Sequence, residues 1–284
     1  MTVLSSLPPP PPRPAHATPQ DNRIGRLSRK PQPSYPAESR WGLGDFFVAL
    51  GIYVLANVVL FVVLLLVDGI GFFNGGGDIN QQLELLTSFW IVLFVAIPPL
   101  LQVAYLTFAV RRKGCGLKRD LKVAFQPRDW GLGLVLAIVG IVVSVTIALL
   151  MEILLGISPN AAIVEDIQDS QITIGLTRSL VLFAFFVALV VPVLEEIIYR
   201  GLLWGALEKR GMREEAILVI TSLVFAAVHL EPARFVILFI LGLLLGYGRI
   251  RTGRIGASVA AHIYINSVSM IFLLFFVWLG SLLT

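Results

Sequence analysis

Three clusters of polar residues interrupt long apolar stretches in the second half of the chain, in the sequences EEIIYR, FAAVH and HIYIN. In chain order, their candidate functional residues are Glu195, Glu196, Arg200, Phe225, His229, His262 and Asn266. Carboxylates and imidazoles are costly at membrane depth, and ionisable groups placed there mark a functional site by default. The clusters therefore predict chemistry inside a membrane segment.

Helical spacing separates the roles of the two adjacent carboxylates. Glu196 and Arg200 are four residues apart and can pair along one helical face, whereas Glu195 projects about 100° away. We therefore expect Glu196 to be structural. Glu195 is then free for chemistry, as a general base that takes a proton from water.

Two chemistries suit these side chains. In the first, Glu195 and His229 activate a water that attacks an amide carbonyl, while His262 and Asn266 donate hydrogen bonds to the developing oxyanion. In the second, His229, His262 and Glu195 hold a zinc ion that keeps one position open for water. The sequence leaves both open, because it contains no HExxH and ligands on separate helices have no diagnostic spacing.

The composition indicates the architecture that must position these residues. The chain is 57% hydrophobic and 14% charged, with a mean hydropathy of +0.86. Several apolar runs reach the roughly 20 residues that a helix needs to cross a bilayer. These features predict an all-α fold, a polytopic helical transmembrane bundle of about seven spans. The predicted spans are 46–67, 89–110, 130–155, 179–198, 214–230, 235–248 and 256–282.

The beginning of the chain has a different composition. Its first 40 residues contain ten prolines among basic residues and almost no apolar pattern. Such a segment is typical of a disordered, solvated tail. We expect this tail at 1–44, on the cytoplasmic side, followed by N-terminal transmembrane helices at 45–176 and a separate functional core at 177–284.

Basic residues alternate between the connections of the predicted spans. The tail has six, residues 111–128 have seven, and 209–213 and 249–254 have three each, whereas the loops at 68–88 and 156–177 have none. The positive-inside rule then predicts an integral membrane protein with a cytoplasmic N-terminus and an external C-terminus. A bacterial plasma membrane is the expected location. The net charge of +4 needs no nucleic-acid partner to explain it.

The ordered triplet EExxxR, FxxxH and HxxxN closely resembles the motifs of the CPBP family of intramembrane proteases. This family contains CAAX prenyl endopeptidases, bacteriocin-processing proteins and abortive-infection proteins. The resemblance covers about residues 179–270 and implies a peptidase of the glutamate or metalloprotease type. Its partner would be a membrane-bound peptide or protein substrate in the lipid bilayer.

The resemblance also implies a role for each matching residue. Glu195 would activate the water, with His229 as its partner. His262 and Asn266 would stabilise the oxyanion or, in the metalloprotease description of the family, bind metal. Supporting roles fall to Glu196 and Arg200, which would organise the helix end, and to Phe225, which would pack beside the site.

Two other kinds of protein could use the same buried Glu, His and Arg set. A transporter or channel is one, and Pro98 and Pro99 do interrupt the second span. A non-catalytic scaffold that keeps the fold and binds a partner's transmembrane segment is the other. The intact motifs and the lack of an internal repeat favour the protease.

The predicted spans place the site residues at unequal depths. A fifth span that starts at Glu214 puts His229 about 22 Å from the cytoplasmic end, at 1.5 Å per residue. A fourth span that ends at 198 puts Glu195 much nearer that end. Residues of one site should lie at one depth. We therefore expect one of three arrangements: residues 201–211 continue as an inward-dipping or interfacial helix, the fourth span extends further, or the fifth span starts inside a water-filled cavity.

Overall fold

The computed structural model describes residues 39–68, 89–157 and 177–283, and within them the regular structure is entirely helical, as predicted. We number the seven longer helices α1 to α7. They are α1 (Leu43–Asp68), α2 (Phe89–Lys113), α3 (Pro127–Leu155), α4 (Arg178–Glu208), α5 (Glu214–Val228), α6 (Phe235–Thr252) and α7 (Gly256–Leu283). A single helical turn, Leu117–Asp120, lies between α2 and α3.

Six of these helices are long and apolar enough to cross a membrane, rather than the seven predicted. The exception is α5, whose 15 residues span about 22 Å, less than the roughly 30 Å of the hydrocarbon core. The apolar run continues in sequence to Leu230, but the helix ends at Val228 and Leu230 adopts a positive φ of 55°. The predicted span at 214–230 was therefore too long.

Helix α4 is longer than its predicted span and is not uniformly α-helical. It runs for 31 residues, and π-helical segments at Phe186–Val190 and Ile197–Leu203 flank the α-helical segment Val191–Glu196. Wide π turns within α-helices are frequent at functional sites. Here they lie on both sides of the segment that carries the two glutamates.

The extra length of α4 removes the predicted mismatch in depth. Beyond Glu195 the helix continues for roughly 20 Å to Glu208 at 1.5 Å per residue. From Glu214 to His229, α5 rises roughly 22 Å. The two site residues therefore lie at similar distances from the connection that joins their helices, as the expected extension of the fourth span requires.

The helices pack as neighbouring pairs, α1 with α2, α5 with α6, and α7 with α3, while α4 contacts α2 and α7. The shared core holds large, fully buried side chains that include Trp41, Leu202, Trp204 and Phe225. This core includes the C-terminal half of α4, from Ile197 to Leu207. The first half of the chain, which carries no motif, thus packs directly against the helix that carries the glutamates.

The predicted tail at 1–44 falls, up to residue 38, outside the described residues. Its last residues are packed rather than solvated. Ser39 donates a hydrogen bond to Asp120, at 2.5 Å, and Lys209 donates to the carbonyls of Ser39 and Trp41. Burial lowers the pKa of the Lys209 ammonium. These contacts join the start of the described chain to the end of α4.

Candidate active site

A buried ion pair forms the base of the site. Arg200 Nη1 donates to Glu196 Oε1 over 3.0 Å, and neither side chain is exposed at all. Arg200 Nη2 also donates to the carbonyl of Gly242, at 2.9 Å, and its guanidinium lies 4.9 Å from the ring centroid of Phe225. The predicted pairing of Glu196 with Arg200 is present in the structure, and Arg200 extends it to α5 and α6.

Close packing of α6 on α5 brings the Gly242 carbonyl to Arg200. A Cβ atom at Gly242 would lie 2.9 Å from the Cβ of Ser222, closer than real Cβ contacts come. Glycine is therefore required for this approach of the two helices. The approach in turn fixes an acceptor for a guanidinium that has no contact with water.

His262 connects the two glutamates. Its Nδ1 lies 3.1 Å from Glu196 Oε1 and its Nε2 lies 3.7 Å from Glu195 Oε2. An ionised carboxylate only accepts hydrogen bonds, so Nδ1 carries a hydrogen in this contact. Nε2 is the ring nitrogen that lies next to Glu195. Sequence spacing did not reveal this contact, because His262 is 66 residues from Glu196.

Glu195 differs from its neighbour in exposure. Its side chain is 23% exposed, whereas Glu196 is completely buried. Glu195 faces a cavity of about 480 Å³, and His229, His262 and Asn266 also line this cavity. The structure thus brings the four residues predicted to be catalytic to the wall of one space.

His229 directly follows α5 and is held by its own helix. Its Nδ1 lies 2.6 Å from the carbonyl oxygen of Phe225, which accepts, so Nδ1 carries the hydrogen and Nε2 keeps a free lone pair. The Phe225 ring centroid lies 4.7 Å from that of His229 and 5.7 Å from that of His262. Phe225 therefore contacts both imidazoles. The histidine within 4 Å of the Glu195 carboxylate is His262, whereas the sequence predicted His229 as its partner.

Asn266 is anchored to α4. Its Nδ2 donates to the carbonyl of Val187, at 2.9 Å, within the first π-helical segment. One amide hydrogen and the amide oxygen remain for the cavity. The Asn266 side chain is thus oriented by the irregular backbone of α4.

The same side chains decide whether the site can hold a metal ion. Across residues 39–68, 89–157 and 177–283, no group of three or more His, Cys, Asp or Glu side chains has an arrangement that could hold one. Glu195, His229 and His262 share the cavity, but the Phe225 ring packs against both histidines. The residues as they stand do not form the three-ligand set that zinc requires, and we derive no step through a metal.

Sequence reasoning missed the contribution of the first half of the chain. Tyr53 of α1 and Gln102 of α2 both line the cavity, although neither lies in a motif. Glu231 and Arg234, which pair over 2.8 Å just before α6, line it as well. The one available signal for Gln102 was its position, an amide within an apolar run and three residues after a pair of prolines.

Comparison with known proteins supports the identification made from the motifs. Residues 177–268 match the family model described as type II CAAX prenyl endopeptidase Rce1-like. The membrane-embedded CAAX protease MroQ of Staphylococcus aureus (strain USA300) is 28% identical over 109 residues. That alignment covers 37% of this chain and 44% of MroQ, so the chain spans less than half the length of this curated relative. No solved structure matches the chain.

The matched segment contains all three motifs and every residue assigned to the site. It begins with α4 and ends within α7, which together with α5 and α6 supply the glutamates, both histidines and Asn266. The helical fold, the apolar spans and the family match agree with one another. The segment 177–268 of this membrane protein is similar to CAAX-type intramembrane proteases, which supports the resemblance to the CPBP family.

Proposed function

We propose that the protein is an intramembrane endopeptidase that hydrolyses peptide bonds of membrane-associated substrates. The observation that supports this most strongly is the cavity of about 480 Å³ within the helical bundle, because Glu195, His229, His262 and Asn266 all line it. A protease in lipid must admit both water and a peptide to one polar space. A space lined by a base, two imidazoles and an amide suits that reaction.

In the proposed reaction, Glu195 takes a proton from a water molecule whose oxygen attacks the carbonyl carbon of the peptide bond. The Nε2 lone pair of His229 accepts a hydrogen bond from this water and orients it. The carbonyl oxygen becomes an oxyanion, to which the Asn266 amide donates, and His262 Nε2 donates as well when the ring is protonated on both nitrogens, with Nδ1–H on Glu196. Glu195 then gives its proton to the departing amine as the C–N bond breaks.

The buried pair below the cavity has a positioning role in this proposal. Glu196 Oε1 accepts from His262 Nδ1 over 3.1 Å and so fixes which edge of the ring faces Glu195. Arg200 holds Glu196 in place. A carboxylate that accepts from one ring nitrogen is a recurring means of fixing the orientation of an imidazole at active sites.

The charge pattern of the connections supports an orientation. We place the N-terminus and the basic connections on the cytoplasmic side of a bacterial plasma membrane, from which the substrate enters. The α5–α6 turn, His229 to Arg234, then lies at membrane depth. Non-helical backbone is tolerated there when it lines a water-filled cavity, and this turn does line one.

Cleavage of a membrane-anchored reporter peptide library by the purified protein in liposomes tests the function. We expect Glu195→Gln to lower the rate by roughly 10²- to 10⁴-fold, the usual contribution of a general base. The melting temperature should hardly change, because Glu195 is partly exposed and its nearest recorded partner is 3.7 Å away. Glu152→Gln is the matched control, since Glu152 is an exposed carboxylate near the end of α3.

Two outcomes would change the proposal. If the library, with prenylated peptides included, shows no cleavage that depends on Glu195, the protein is not this protease, and a scaffold or transporter role should be tested by solute flux. If a chelator abolishes cleavage and added zinc restores it, the zinc mechanism replaces the metal-free one.

A further inference from the structure

Helix α2 brings residues to the cavity that the proposed reaction does not use, and their polar groups are backbone carbonyls and the Gln102 amide. Phe94, Val95, Pro99 and Gln102 of α2 all line the cavity, and we call this set the α2 wall. Residues 95, 99 and 102 are spaced by four and three and so share one helical face. The wall belongs to the half of the chain that has no family motif.

The prolines of α2 release two backbone acceptors in this wall. In an α-helix the N–H of residue i+4 donates to the carbonyl of residue i, but proline has no N–H. Pro98 and Pro99 therefore remove the donors to the carbonyls of Phe94 and Val95. The Val95 carbonyl has no donor three residues on either, because that position is Pro98.

Gln102 adds an uncommitted amide to these carbonyls. Gln102 is only 6% exposed, and its side chain makes no hydrogen bond to another described residue. Amides and freed carbonyls at membrane depth need hydrogen-bond partners, which water in the cavity or a bound peptide can supply. The three residues that carry these groups all line the cavity, so that an occupant of the cavity lies within reach of them.

A peptide main chain has the matching chemistry. A substrate segment that enters as a transmembrane helix must unwind near the scissile bond before water can attack it, and unwinding exposes N–H and C=O groups in a medium with little water. Free carbonyls accept from such N–H groups, and a carboxamide pairs with a peptide unit as donor and acceptor together. Because α2 packs against α4, the wall stands beside the helix that carries Glu195.

We infer that the α2 wall binds the unwound main chain of the substrate, through the Gln102 amide and the carbonyls of Phe94 and Val95. This inference rests on the proposed function and deepens it. It assigns recognition of the peptide backbone to the first half of the chain and the hydrolytic step to the second half. It also means that the α2 wall recognises the backbone conformation of the substrate and not the identity of its side chains.

The test measures kcat and KM on a membrane-anchored peptide that the wild type cleaves. Gln102→Leu keeps the volume and removes the amide, and KM should rise roughly threefold to tenfold with kcat nearly unchanged. Pro98→Ala with Pro99→Ala restores both N–H groups, so that the two carbonyls bond within the helix and accept less readily from substrate. For this double variant KM should rise by a similar factor, while the melting temperature stays equal or rises.

A purely structural role for the prolines gives a different result. It predicts that the double variant changes kcat and KM no more than Leu101→Ala, a half-exposed position on the same helical turn that does not line the cavity. Thr107→Val is the matched control for Gln102→Leu, because the Thr107 hydroxyl is already bonded to the Val103 carbonyl. Both controls should leave KM at the wild-type value.

Modified substrates provide a second readout that does not depend on the folding of any variant. N-methylation of single backbone amides removes one N–H at a time, and we expect at least one position where it raises KM for the wild type but much less for the double proline variant. If KM is unchanged in Gln102→Leu and no N-methylated position raises it, the inference is wrong while the protease proposal stands. Absence of Glu195-dependent cleavage would overturn both.

Discussion

Two buried carboxylate–arginine pairs in this protein have the same chemistry and different surroundings. Where α3 begins, Arg254 forms a two-point contact with Asp129, with Nη2 to Oδ1 at 2.6 Å and Nε to Oδ2 at 2.9 Å. The backbone N–H of Gln126 also donates to Asp129, at 2.7 Å, as part of the helix cap. Every oxygen of that carboxylate has a partner.

The Glu196–Arg200 pair is bonded less completely. Glu196 Oε1 accepts from both Arg200 and His262, but Glu196 Oε2 and Arg200 Nε have no hydrogen-bond partner among the described residues. A fully bonded pair fixes one arrangement of helices, whereas an incompletely bonded one is costly and persists where it serves a site. The difference separates a structural ion pair from one that, in the proposed function, positions a catalytic side chain.

Arg200→Met should produce the largest combined effect. It leaves the Glu196 charge buried without its cation and releases the Gly242 carbonyl, which typically costs about 3–5 kcal/mol of unfolding free energy. Peptide cleavage by the surviving folded protein should also fall, because His262 loses its fixed support. Thermal unfolding in detergent and cleavage per folded molecule measure the two effects.

Arg254→Met is the matched variant at the other pair. It also leaves a buried carboxylate unpaired, so the loss of stability should be of similar size. Cleavage per folded molecule should stay near the wild-type value, because Asp129 and Arg254 do not line the cavity. Equal losses of specific activity in both variants would show that the Glu196–Arg200 pair affects cleavage no more specifically than the Asp129–Arg254 pair.

Glu196→Gln sharpens the comparison with a smaller change. The amide oxygen can still accept from Arg200, but the side chain no longer presents a carboxylate to His262. We expect kcat to fall roughly 10- to 100-fold, as for other residues that orient a functional imidazole, with KM nearly constant. A parallel fall in melting temperature without any fall in kcat would mean that Glu196 is structural only.

Phe225→Leu should have the smallest effect. The substitution keeps an apolar side chain but removes the ring that lies under Arg200 and contacts both histidines. Loss of the cation–π contact should cost about 1–2 kcal/mol of stability. Cleavage should fall only a few-fold, and an increase in zinc affinity, measured by calorimetry, would show that the ring keeps the imidazoles from sharing a metal.

The sequence predicted the local relations of the site well. Glu196 and Arg200 lie on adjacent turns of one helix, so their spacing alone determined that they pair. The same spacing separated Glu195 from that pair, and the structure places Glu195 at the cavity. The seven motif residues also predicted the resemblance to the CPBP family, which the match of residues 177–268 supports.

Relations between distant segments could not be read in the same way. Asp129 and Arg254 are 125 residues apart, and His262 reaches Glu196 over 66. Their contacts depend on how helices pack, which hydrophobic pattern does not specify. The end of α5 was missed because an apolar run does not reveal the positive φ of Leu230. The contribution of Gln102 was missed because a single amide in a span has no recognisable spacing.

The two π-helical segments of α4 make the length of this helix part of the site. A π turn holds about one residue more than an α turn, so the Ile197–Leu203 segment sets the rotation of Glu195 relative to the packed end at Trp204–Glu208. Deletion of one residue there would restore a regular α-helix and rotate the glutamate by about 100°. Natural variation in α4 should therefore consist of substitutions at its lipid-facing positions, and insertions or deletions should be confined to the connections outside it.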